Sequence, residues 1–195
     1  TPGFVKIPYN DIHALEQAGH VLKSVSITTY QAPSGKGDAI ADDDYARRIT
    51  ANVIDDWQGY DEEWKSSAEP QKILGRVTTR EQVEKGLRQL RSGKKGHGLL
   101  PLFTQTARVY TQHGHLEHLQ LRFDDPVEAD GLMRVLSQYT INEDARQLPT
   151  TPDQLFYVKE AMPDPQSDVM HADGTQIVVG DVVQYTPKTI SLWTL

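Results

Sequence analysis

His113, His115, Glu117 and His118 form the densest group of potential metal ligands in the chain. Neutral imidazoles together with a carboxylate suit zinc or iron, so the chemistry they would support is metal-assisted hydrolysis or nuclease action. Their spacing argues against convergence. If a strand runs from Leu116 onward, His118 shares a face with Leu116 and opposes Leu119, while His113 and His115 sit in the turn before it, around Gly114.

A second group is cationic. Arg76, Arg80, Lys85, Arg88, Arg91, Lys94 and Lys95 gather in the middle of the chain with His97 nearby, and no acid interrupts the stretch from Lys85 to Lys95. Clustered Lys and Arg can release counterions from nucleic acid or meet an acidic protein surface. The same residues close a helix, where cations interact favourably with the macrodipole by ~0.3 to 1 kcal/mol.

Acidic residues offer weaker signals. Asp42, Asp43, Asp44, Asp55 and Asp56 could supply oxygen ligands to magnesium, but a helix start and a solvated loop explain them. Glu63 with Lys65 is too common a pair to carry chemistry. Ser34-Gly35-Lys36-Gly37 lacks the spacing of a phosphate-binding loop, and the sequence holds no Gly-x-Ser-x-Gly elbow, no His-Glu-x-x-His helix and no dinucleotide fingerprint. Without cysteine, the chain offers no thiolate nucleophile, disulfide or cysteine-ligated metal.

The elements that would position these residues follow from periodicity and caps. Asn10 reads as an N-cap for a helix over 11–23, and Val25, Ile27 and Thr29 alternate in a half-buried strand over 24–32. Tyr45, Ile49, Val53 and Trp57 recur every fourth residue, which predicts a second helix starting at Asp42–Asp44. Thr78, Thr79, Glu81 and Gln82 offer overlapping capping boxes for a third helix that carries Val83, Leu87 and Leu90 and stops at Gly93. Residues 107–112 and 116–123 read as a hairpin turning at His113-Gly114-His115. Asp125-Pro126 opens a fourth helix, Thr151-Pro152 a shorter one bearing Leu155 and Phe156, and 176–179, 182–185 and 190–193 form a β-meander.

Helices and strands mix without a strand-helix-strand rhythm, so the expected fold class is α+β, with about five helices, a mostly antiparallel sheet and a small β-rich C-terminal portion. Residues 1–162 are expected as the main domain and 163–195 as a β-rich extension or small lobe. No window approaches the ~18 apolar residues of a membrane-spanning helix. The net charge of -7 is segregated: ten acids against three bases over 38–70, three against ten over 71–123, and twelve against three over 124–181. A basic middle between acidic flanks ranks association above catalysis.

The resulting expectation is a cytoplasmic, non-enzymatic interaction or regulatory protein. It would need no cofactor and would contact nucleic acid or an acidic protein through residues 76–97, with no membrane partner and with self-association open to it. The alternatives are a hydrolase or nuclease using a divalent metal at His113, His115 and His118, and a structural subunit of a larger assembly.

Overall fold

A computed structural model describes residues 3–33, 48–54, 62–77, 79–92 and 99–195. Most of the expected second helix, the Ser34–Gly37 loop, Asp42–Asp44, Asp55, Asp56, Lys94, Lys95 and His97 lie outside the described residues, as does the side chain of Arg91.

Six strands make one mixed sheet: β1 (Leu22–Gln31), β2 (Leu102–Arg108), β3 (His115–Phe123), β4 (Phe156–Val158), β5 (Ile177–Thr186) and β6 (Thr189–Thr194), in the order β2-β1-β3-β6-β5-β4. Three of the five pairings are antiparallel, and β1·β2 and β4·β5 are parallel. The described helices are α1 (Gly3–Gln17), α2 (Glu62–Ile73), α3 (Arg80–Arg91), α4 (Ala129–Ser137) and the single turn α5 (Glu143–Arg146). The α+β class and the strand-rich C-terminal portion are as the sequence predicts. No described helix is long and apolar enough to cross a membrane.

Strand β1 alternates as its sequence dictates. Val25, Ile27, Thr29 and Gln31 are buried and the residues between them are only half-buried. Ile12 and Leu15 of α1 and Leu132 and Leu136 of α4 pack with Val25, Ile27, Leu119, Leu121, Ile190 and Leu192 in one core, so these two helices cover one face of the sheet. A smaller cluster of Ala68, Val77, Val83, Leu87 and Leu99 joins α2 to α3. Helix α2 is fastened beside β2 by Gln71, whose Nε2 donates to the Leu100 carbonyl at 2.6 Å. The opposite face of the sheet presents Phe103, Val183 and Tyr185 to solvent.

Several expectations are corrected. Strands β2 and β3 do not form a hairpin, because each pairs with β1 instead, β2 in parallel and β3 antiparallel. Helix α1 starts at Gly3, and Asn10 lies inside it with its side-chain amide donating to the Lys6 carbonyl. The predicted second helix does not continue through residue 54: Ala51 has φ 52° and Ile54 bridges to Arg108. Helix α4 begins only after residues 123–127 have tied their backbone to the β5–β6 turn, through Phe123 N to Lys188 O and Val127 N to Pro187 O. Phe156 belongs to a strand, since Ile177 N donates to Leu155 O and Lys159 N to Val179 O in a parallel ladder. The capping box of α3 forms as the sequence indicates, with Thr79 Oγ1 accepting from Gln82 N and Gln82 Oε1 accepting from Thr79 N.

Residues 177–194 share this one sheet with β1–β3, since β6 lies between β3 and β5. Gly180 marks a tight point where β5 passes residues 159–161. A Cβ placed there would lie 2.0 Å from the Ala161 carbonyl oxygen. Gly180→Ala is therefore expected to cost about 1–3 kcal/mol, read as a lower midpoint in urea unfolding with the slope unchanged.

Candidate functional site

The register of β1 with its two neighbours builds rows of side chains across the core face. Leu102, Val25, Leu121 and Ile190 form one row, and Thr104, Ile27, Leu119 and Leu192 the next. The rows then become polar. Thr106, Thr29, Glu117 and Thr194 follow, and the last row is Arg108, Gln31 and His115. Arg108 and Gln31 are buried along with Thr29, Glu117 and Thr194, so one end of this sheet face is a dry polar surface.

Helices α1 and α2 close over it. Glu62, the first residue of α2, forms a buried ion pair with Arg108, and the Arg108 Nη1 also donates to the Ala32 carbonyl at 3.3 Å. Gly3, the first residue of α1, lies against the His115 ring, where a Cβ would sit 2.7 Å from Cδ2. Asp11 reaches in from α1 and is fully buried. Gln31 Nε2 donates to Thr29 Oγ1 at 2.8 Å, whereas Gln31 Oε1 and Arg108 Nε have no protein partner. Such buried unpartnered atoms are rare in native structures and mark places where a ligand or water completes the bonding.

Electrostatics follow from the dryness. Burial, reinforced by the Arg108 charge, lowers the His115 pKa to about 4, so its imidazole is neutral near pH 7. Burial pushes Asp11 up to about 8, opposed by the Thr194 hydroxyl, which lies near it without closing a hydrogen bond of good geometry. Burial also holds Glu117 well above the usual carboxylate range, and the neighbouring Asp11 adds to the shift. Glu117 oxygens and Asp11 oxygens alike lack hydrogen-bond partners, and burial without a partner favours the uncharged form of both carboxyls.

Among the residues singled out from sequence, only His115 and Glu117 enter this row system. His118 points to the other face and packs on Trp193 with ring centroids 4.8 Å apart, while His113 lies in the β2–β3 connection. Among the described residues, no three His, Asp or Glu side chains come together to hold a metal. Three of the described bases pair with acids of the same chain. Arg76 pairs with Glu16, Arg80 pairs with Glu84 and lies over the Trp64 ring, and Arg88 also approaches Glu84. Lys85 is exposed. Gln31, Glu62, Arg108 and Asp11 were not singled out as site residues, although Val25, Ile27, Thr29 and Gln31 share a face in sequence and the turn to polar types at its end is visible there.

The family model for the semialdehyde dehydrogenase dimerisation domain matches residues 12–195, and the chain belongs to that family. Similar solved structures include an aspartate semialdehyde dehydrogenase with NADP from Candida albicans (20% identity, TM-score 0.67, 94% of this chain and 48% of that one). Aspartate semialdehyde dehydrogenase II from Vibrio cholerae is similar at 19% identity and TM-score 0.66, over 100% of this chain and 55% of that one. The enzyme from Francisella tularensis gives 16%, 0.63, 97% and 57%. The chain thus spans about half the length of the solved structures it matches. No curated protein matches it.

Membership in an enzyme family overturns the expected non-enzymatic interaction or regulatory protein, together with its metal-hydrolase and structural-subunit alternatives. The described basic residues Arg76, Arg80 and Arg88 meet acids of this same chain, so the charge segregation that ranked association first does not by itself call for an acidic partner. Self-association is what a dimerisation domain provides, and nothing supports a nucleic-acid or acidic-protein partner.

Two outcomes test the geometry. Glu62→Gln strands the Arg108 guanidinium and should destabilise the chain by about 3–5 kcal/mol, while Glu62→Leu/Arg108→Met recovers most of the loss in urea unfolding. Asp11 has a raised pKa in the folded state, so its stabilising contribution is full below pH ~4 and is lost as pH rises toward about 8. Wild-type melting temperature should therefore fall across that window, and Asp11→Asn should flatten the fall.

Proposed function

We propose that this chain is the dimerising, substrate-holding half of a semialdehyde dehydrogenase. The observation that carries the reading is the row of buried Arg108 and Gln31 beside half-buried His115, in which Arg108 Nε and Gln31 Oε1 are unpartnered. Arg108 would draw in the carboxylate of an amino-acid semialdehyde, the class named for the similar solved structures. Gln31 would orient the substrate with its amide. His115, kept neutral at working pH by its lowered pKa, would hydrogen-bond the reacting carbonyl and hold it in place.

The chemistry has a boundary. The 195 residues contain no cysteine, so no thiolate for covalent catalysis comes from them. Among the described residues no glycine-rich turn joins a parallel strand to a helix in the manner that cradles a dinucleotide, and the residues present do not fit a nicotinamide cofactor. No step is therefore assigned to one here, and these residues bind and orient the substrate.

The finer reading of self-association is that two copies join through the face of the sheet opposite α1 and α4. Phe103, Val183 and Tyr185 are exposed there, and Tyr30, His118 and Trp193 form an aromatic cluster on the same side, with Tyr30 and Trp193 centroids 5.8 Å apart. Aromatic anchors on an otherwise uncovered sheet are what a self-complementary interface uses.

Titration with aspartate semialdehyde, followed by the His115 imidazole signals in NMR, tests the site. Arg108→Lys keeps the charge but loses the planar fork, and should weaken binding by roughly tenfold or more; unchanged affinity would remove Arg108 from the site. Phe103→Glu/Tyr185→Glu should convert the dimer to a folded monomer in sedimentation, since both side chains are already exposed in the single chain.

A further inference from the structure

Asp11 and Glu117 have no part in the binding roles given to Arg108, Gln31 and His115, yet both are fully buried. Glu117 stands in the cross-strand row Thr106, Thr29, Glu117 and Thr194, one row in from His115 on the same face of β3. Asp11 comes down on that row from α1. It is close enough for its charge to act on Glu117 and for its carboxyl to approach the Thr194 hydroxyl. All four carboxyl oxygens lack a hydrogen-bond partner.

The donors of the neighbouring row are committed elsewhere. Gln31 Nε2 donates to Thr29 Oγ1, and Arg108 reaches Glu62 and the Ala32 carbonyl. Two acceptor groups in a dry place must then bring donors of their own, which a protonated carboxyl does. The charged and titratable groups around them are Arg108 on β2, His115 on β3, and Glu62 on α2 with Lys65 and Glu69 at helical spacing behind it. Strands β1 and β6 offer Thr29, Gln31 and Thr194, without charge. On α4 Asp130 and Arg134 are exposed. On α1 itself Lys6 is exposed, Glu16 pairs with Arg76 and His13 stacks on Tyr9.

We propose that Asp11 and Glu117 are positioning residues, a pair of carboxylic acids joined through their own protons that clasps α1 to β3 and so keeps Gly3 against the His115 ring. Gly3 lies two turns before Asp11, about 12 Å along the helix at ~1.5 Å per residue. Ile12 and Leu15 seat the following turn on the apolar rows, so the clasp governs the stretch that closes over the polar end. Loss of the protons puts two anions in one dry place, while the Arg108 guanidinium stays held by Glu62. Like charges there repel with little screening. The first half of α1 then lifts and the row opens. The raised Asp11 pKa of about 8 puts this release on the alkaline side of neutrality. The clasp is a property of the chain alone; that the opened row admits a semialdehyde rests on the dehydrogenase reading.

The test is amide hydrogen exchange followed by NMR on the whole chain, between about pH 6 and about pH 9.5, expressed as protection so that the intrinsic effect of pH cancels. Protection over residues 5–15 should fall by roughly tenfold or more while β5 and β6 keep theirs. The His115 ring signals should shift along the same curve. Asp11→Asn/Glu117→Gln, neutral at every pH, should stay flat, and Asp11→Asn alone, the milder change, should fall less than the wild type. None of these readouts uses a ligand, so failure of the aspartate semialdehyde titration would remove the dehydrogenase reading and leave the clasp standing. The proposal is overturned if wild-type protection over 5–15 does not change, if β5 and β6 lose protection along with it, or if the His115 signals do not follow. It is equally overturned if the double variant, or the single variant where the double does not fold, falls as far as the wild type.

Discussion

The register of β1 between β2 and β3 is the constraint on which the rest of the molecule depends. One strand pairs in parallel on one side and antiparallel on the other, and the alternation of Val25, Ile27, Thr29 and Gln31 then decides what each cross-strand row contains. Slipping β1 by one residue would turn Val25 and Ile27 outward and bring Ser26, Thr28 and Tyr30 into the core. The apolar rows make that slip costly. They thereby hold in place the polar rows that packing alone would not choose.

Those polar rows are expensive to build. Burying Asp11 and Glu117 without hydrogen-bond partners, and enclosing Arg108 with a single carboxylate, works against stability, because each group leaves water for an incompletely bonded setting. The core cluster around Ile12, Leu15, Leu119, Leu121 and Phe123 offsets the cost within a few residues of where it is incurred. The departure from apolar burial is confined to one place, with helices α1 and α2 closed over it. Gly3 belongs to the same design, since its missing side chain lets α1 rest on the His115 ring.

Much of the fold was legible where local signals and tertiary packing agree. The β1 alternation, the Thr79–Gln82 capping box and the α+β class are local facts that the packing leaves intact. The misassigned pieces are those where a long-range partner decides. Residues 107–112 and 116–123 look like a hairpin in isolation, but β1 lies between the two strands and pairs with both. Phe156 follows helix-start signals, yet its ladder partner Ile177 draws it into the sheet. The site was half legible. His115 and Glu117 stood out by residue type, though for the wrong chemistry, while Arg108 and Gln31 gain their meaning only from cross-strand register, which no local window contains.

The parallel pairing of β1 with β2 also bears on how the chain comes to its structure. Arg108 and Ala32, joined by a hydrogen bond, are 76 positions apart, and the loop between them must be closed before their contact gives anything back. The β5–β6 hairpin and the isolated helices face no such delay. Closing the Arg108-Gln31-His115 row therefore carries a larger loop-closure cost than forming the β5–β6 hairpin.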